Sequence, residues 1–158
     1  MPFATTTAAR DEILGKLKAV IDADAALLGT YVSWEEVYPD IPRTDKDASV
    51  PAKNPAGKPW IRAGVMHIDE RAASLGAVNN KRRYEHTGYL WIQLFTPKGD
   101  GGKLMDSMKD ALLDPFRRAG SGTANGASFQ NARGREIDVA GAWHLLNCLV
   151  DFSYDRII

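Results

Sequence analysis

Two stretches of this chain alternate in a way that leaves neither side polar. From Arg83 to Phe95 the even positions, Tyr84 through Leu90, Ile92 and Leu94, form one apolar face. The odd positions carry Glu85, Thr87, Tyr89, Trp91, Gln93 and Phe95, so the second face is half aromatic. A period of two predicts a strand. From Ala142 to Tyr154 the pattern recurs, with His144, Leu146, Cys148, Val150, Phe152 and Tyr154 on one side. Trp143, Leu145 and Leu149 stand on the other before it turns polar at Asp151 and Ser153. If these strands pair, their less obvious faces together present Tyr89, Trp91, Phe95, Trp143, Leu145 and Leu149. A sheet covered by helices on one side should show polar residues to water on the other. A surplus of this kind is either covered by another segment of the same chain or marks a contact with another molecule.

The rest of the chain fits around these two strands. Ile13, Leu14, Leu17, Val20, Ile21, Leu27 and Leu28 recur at three and four, predicting a helix over 8–28 with Thr7 as its N-cap, Asp11 and Glu12 near its positive end and Gly29 closing it. Tyr31 to Tyr38 reads as a strand, stopped by Pro39 and Pro42. Residues 39–59 hold five prolines and few large apolar side chains, the composition of a long loop that is either mobile or reaches a partner and orders on contact. Trp60 to Asp69 reads as a strand with Gly64 marking a bulge or a close approach of backbone, and it is expected to form an antiparallel hairpin with the strand from Arg83. A second helix is predicted over 101–113, capped by Asp100 and broken at Pro115. Phe129 to Ala132 reads as a short strand and Arg133-Gly134 as a turn. The expected architecture is α+β: one domain over 1–158, a two-layer sandwich with a mainly antiparallel sheet of about four strands and two helices on one face.

Composition narrows the class without directing it. Twenty basic and twenty acidic side chains balance, so no bulk charge argues for nucleic acid or for an anionic membrane. The runs Lys81-Arg82-Arg83 and Arg117-Arg118 are the local exceptions. The single cysteine, Cys148, excludes an intramolecular disulfide and lies in an apolar strand, where it reads as core. The N-terminus lacks the basic and apolar regions of a signal sequence, and there is no uncharged apolar run long enough to span a bilayer, so the expectation is a chain kept in the cytoplasm.

Candidate chemistry is sparse. His67, His86 and His144 sit in separate strand patterns without metal-ligand spacing. His67 with Asp69 and Glu70 is the one group that could supply ligands, and a small metal-dependent enzyme is the weakest of the readings considered. Pro97 to Lys103 resembles a phosphate cradle, yet Pro97 stands where a glycine is required and Leu104 where a Ser or Thr should be. The sequence carries no nucleophile elbow. The reading is of a non-enzyme, with no catalytic residues, no metal and no cofactor.

Trp60-Ile-Arg, the run from Arg83 through Phe95 into Thr-Pro-Lys-Gly-Asp-Gly, and the ending from Trp143 to Tyr154-Asp155-Arg156 resemble the tail terminators, or tail completion proteins, of long-tailed bacteriophages and prophages. The resemblance implies an α+β domain in a homo-oligomeric ring, commonly a hexamer. Such a ring caps the finished tail tube and offers the surface for head-tail joining. Its implied partners are other copies of itself, the tail tube protein and a head connector or neck protein, with no membrane and with DNA only as cargo through the lumen. Its implied place is the virion tail, reached from the host cytoplasm during assembly. On this reading Tyr89, Trp91, Phe95, Trp143, Leu145 and Leu149 are candidates for subunit contacts. Lys81, Arg82 and Arg83 are candidates for an acidic partner or the lumen. The alternative is a monomeric head-tail adaptor that binds the connector.

Overall fold

The computed structural model describes residues 2–34, 58–73, 81–99, 102–137, 141 and 143–158. The expected loop over 39–59, apart from its last two residues, lies outside the described residues, as do Tyr38, Asp100 and most of the 72–82 connection. The elements run α1 (Thr6–Ala23), β1 (Tyr31–Trp34), β2 (Trp60–Ala72), β3 (Arg83–Pro97), α2 (Lys103–Arg117), β4 (Ser128–Ile137) and β5 (Trp143–Ile157). The fold is α+β, with one sheet of five strands in the order β1-β2-β3-β5-β4. All pairings are antiparallel except β1 with β2. The sheet has one strand more than the four expected, and β4 is longer than its reading as Phe129 to Ala132 because Arg133-Gly134 is not a turn. Those residues continue β4 past a bulge between Gln130 and Arg133, where Asn131 takes a left-handed φ of 57°.

α1 begins two residues earlier than the pattern suggested and ends sooner. Thr5, not Thr7, is the cap, its hydroxyl accepting from the Ala8 amide at 3.0 Å. Asp24 ends the helix, and Gly29 (φ 78°) belongs to the turn that follows. Glu12 does not serve the positive end of α1. It reaches instead to the 122–126 turn, accepting from the Asn125 amide at 2.9 Å and from Asn125 Nδ2 at 2.6 Å. α2 starts behind Gly102 (φ 83°) and runs through Pro115 to Arg117 without a break. Pro115 is tolerated because it stands near the helix end, and Phe116 beyond it still turns inward.

Both helices lie on the same face of the sheet. Ala9, Ile13, Leu17, Val20 and Ile21 of α1 and Met105, Met108, Leu112, Leu113 and Phe116 of α2 share one core with Ile61, Leu90, Ile92, Leu94, Leu146, Cys148, Val150 and Phe152. These strand residues are the obvious apolar face of each alternating run, and burying each large side chain contributes about 1.5–3 kcal/mol. Burial pushes the Cys148 thiol up to about 12. Opposite β5's last turn of strand, where β4 has not yet begun, Phe3 fills the gap: its amide donates to the Asp155 carbonyl at 3.0 Å and its ring meets Tyr154 edge-on at 5.2 Å. Arg156 ties the same N-terminal segment down through Thr6 Oγ1 and the Ala4 carbonyl.

Candidate functional site

The face of the sheet turned away from the helices is built by register. Antiparallel pairing sets Trp91 opposite Leu149, Phe95 opposite Leu145, Pro97 opposite Trp143 and Tyr89 opposite Asp151. The two central strands thereby bring all six candidate contact residues onto one surface. β2 extends it on one side, with Met66 opposite Tyr89, Arg62 opposite Gln93 and Trp60 opposite Phe95. β4 extends it on the other, with Arg133 beside Leu149, Arg135 beside Asn147 and Ile137 beside Leu145.

Within this surface the side chains hold one another. The Arg62 guanidinium stands over the Trp91 ring at 5.6 Å, a cation–π contact. The Tyr89 hydroxyl donates to Met66 Sδ at 2.9 Å, and Gln93 Nε2 donates to Asn147 Oδ1 at 3.1 Å. Tyr89, Trp91, Trp143, Leu145 and Leu149 are half-buried, and Met66 and Ile137 are exposed. Phe95 departs from the expectation. It stacks on Trp60 at 4.1 Å with ring planes 4° apart, is only 6% exposed, and is therefore closed to a partner in the single chain. A shallow cavity of about 230 Å³ opens between Tyr89, Trp91 and Leu149, with Gln93 and Asn147 supplying its polar wall.

The face changes character along the strands. Towards the start of β3 it is charged: Arg71 Nε donates to Glu85 at 2.7 Å and Arg83 pairs with Asp155 at 2.6 Å. Towards the end of β3 it is apolar. The two zones explain why a strand with aromatic odd positions still begins with Glu85 and Thr87. Four strands at about 4.8 Å spacing and the eight steps between the nine residues from Tyr89 to Pro97 give an apolar half of roughly 19 by 26 Å, about 500 Å² in projection. One side of a standard specific contact buries about 800 Å², so this half supplies most of one such side.

The basic run does not act as a unit. Lys81 and Arg82 are exposed, and the Arg82 backbone is paired with Ile158 in both directions. Arg83 is held by Asp155, whose hydrogen bond and charge raise its already high pKa. All three lie at the charged end, about 25 Å along the strand from the Trp91 region.

The possible ligand group is divided by a bulge that the sequence reading did not place. β2 gains one residue, Ile68, between His67 and Asp69, rather than bulging at Gly64. His67 and Glu70 then face the helix side, opposite Gly88 and His86, while Asp69 faces the other, opposite Thr87. Among the described residues no group of three His, Cys, Asp or Glu is placed to share a metal ion. His67 joins an aromatic cluster instead. Its Nε2 lies 2.8 Å from the Tyr154 hydroxyl, and His86, 3% exposed, stacks flat on Tyr154 at 5.0 Å. Burial pushes the His67 pKa down, with the Arg10 and His86 charges adding to it, so the ring is neutral at pH 7 and its Nε2 can accept the phenol proton. Burial also pushes the Tyr154 phenol up. His86 Nε2 has no hydrogen-bond partner and stands 3.7 Å from Glu70. This cluster seats the N-terminal segment through Phe3 and was not foreseen, because its members are 87 residues apart in sequence.

No protein-family model matches the chain, and no curated protein matches it. Among solved structures, one chain whose name carries no function matches over 95% of both chains, with a TM-score of 0.59 and 16% identity. At that identity the likeness shows a shared fold.

Proposed function

We propose that the chain is a structural protein of a phage virion, assembling with copies of itself into a ring, hexameric by the resemblance described above, that closes the tail tube and joins it to the head. The observation that carries this reading is the apolar half of the open sheet face, with Trp91, Leu145 and Leu149 partly exposed at its centre. An isolated soluble subunit gains nothing from such a surface, whereas a subunit of a closed assembly needs one patch that meets a different patch on its neighbour. The α+β fold is also the kind that the resemblance implies.

Light scattering coupled to chromatography, with negative-stain imaging of the same fractions, tests it. The expected result is a mass that is a multiple of 17.3 kDa and particles with a central hole. A chain that stays at 17.3 kDa at every concentration, and also when a tail tube protein is added, overturns the ring and leaves the monomeric adaptor.

A further inference from the structure

The apolar half of the sheet face has a basic rim. Arg62 over Trp91, Arg133 beside Leu149 and Arg135 beside Asn147 place three guanidiniums on it, and among the described residues Asp151, which binds Arg133 at 3.0 Å, offsets one of them. Two positive charges are left uncompensated among the described residues. Two copies packed sheet to sheet would bring these like charges together around an apolar centre, which costs several kcal/mol in a contact that excludes water. The surface that could cover this face is therefore one that carries the opposite sign.

The helix side of the same chain carries it. A groove of about 320 Å³ runs between the end of α1 and α2, lined by Asp24, Asp110, Asp114 and Arg118 together with Ala26 and Pro115. Three carboxylates against Arg118 in the lining and Arg117, which binds Asp114, leave an excess of one negative charge there. Arg117, next along α2, binds Asp114 at 3.2 Å but is also drawn to the Ala132 carbonyl, away from the groove. The turn that follows Asp24 presents Leu28, 64% exposed, its amide bonded to the Asp24 carbonyl at 2.8 Å. The chain thus owns an exposed apolar side chain in the turn that adjoins an acidic groove and an apolar hollow among guanidiniums on its other face.

We infer that, in the assembly proposed above, the sheet face of one copy docks on the helix face of the next, with Leu28 entering the Trp91–Leu149 hollow and the Arg62–Arg135 rim meeting Asp24 and Asp110. The two faces lie on opposite sides of a two-layer domain, so the contact is head-to-tail. Repetition of such a contact closes a ring when its rotation permits, whereas a sheet-to-sheet contact would stop at a dimer. The inference rests on the self-association proposed above and specifies which surfaces make it.

Charge reversal tests the docking mode on the full chain. Arg135 and Asp110 are both exposed and make no ion pair among the described residues, so reversing either leaves the subunit fold intact, which far-UV circular dichroism checks. Arg135→Glu and Asp110→Lys are each expected to raise the concentration for half-assembly about tenfold. The two single variants mixed in equal amounts, and the Arg135→Glu/Asp110→Lys double variant alone, are both expected to recover most of that loss. A ring that forms normally in either single variant, or a double variant that sums the two losses, overturns sheet-on-helix docking while leaving the ring in place. A wild-type chain that never self-associates overturns both.

Discussion

Replacing Gly88 with alanine puts the strand geometry beside the bulge to a direct test. A Cβ at Gly88 would fall inside any permitted distance of the Met66 carbonyl oxygen, 2.7 Å from Phe152 Cζ and 3.0 Å from the His67 Cα. Two of these three neighbours are backbone, so no rotamer change relieves the overlap. Either β2 moves off β3 near the His67–Gly88 pair or Phe152 leaves its place in the core. Overpacking that flexible side chains can absorb costs about 1–3 kcal/mol. A clash with a paired strand belongs at the upper end, about 3 kcal/mol, and alanine's smaller unfolded-state entropy returns only about 0.4–1 kcal/mol. The net expectation is a loss of about 2–3 kcal/mol, a fall in Tm of roughly 5–10 °C for a chain of this size. Gly15→Ala supplies a control of opposite sign. Gly15 is inside α1, and a Cβ there meets nothing within 4 Å, so the change should stabilise by about 0.5–1 kcal/mol. Urea unfolding followed by far-UV circular dichroism measures both. A Gly88→Ala midpoint within error of wild type would refute the close approach of β2 to β3 and the reasoning built on it.

Three further expectations can be checked on the same material. Burial raises the Glu12 carboxyl pKa, but hydrogen bonds from Thr123 and Asn125 outweigh it and hold the group below its ordinary 4.5, so its contribution is present above that value and lost as pH falls through the lower folded value. Glu12→Gln should therefore cost up to about 1 kcal/mol at pH 7 and progressively less as pH falls below 4.5, and a difference independent of pH would sink the latch to the 122–126 turn. Cys148, its thiol pushed up to about 12 by burial, should stay unlabelled by a thiol reagent at pH 8 until the protein unfolds, and labelling of the native chain within seconds would contradict its place in the core. Trp91→Ser should abolish assembly while the isolated subunit still melts cooperatively, whereas Phe95→Ser should lose about 3 kcal/mol of subunit stability. Equal damage to the fold from both would place Trp91 in the same buried stack as Phe95.

Where the alternation was long, the residues alone were enough. The obvious faces of β3 and β5 became the core, and their antiparallel pairing brought Tyr89, Trp91, Leu145 and Leu149 together as the pattern required. What escaped was set by contacts between distant segments. β4 was split at Arg133-Gly134 because those residues look like a turn, whereas pairing with β5 carries the strand through. Phe95 read as a free aromatic because nothing local announces Trp60, 35 positions earlier and stacked on it. The bulge at Ile68, which sends Asp69 to the opposite face from His67, has no glycine or proline to mark it, and Gly64 drew the expectation instead. Glu12 could be placed on a helix end from sequence, but its actual partner is 113 positions away.

The strands at the centre of the open face, β3 and β5, each have a paired neighbour on both sides, as β2 does, while β1 and β4 form the rims. Amide exchange should accordingly be slowest at Leu90, Ile92, Leu146 and Cys148 and fastest along β1 and β4. A chain whose margins have frayed would still display its sticky middle. If the chain assembles as proposed, newly made subunits face a race between finding their proper neighbours and clumping, set by concentration and temperature.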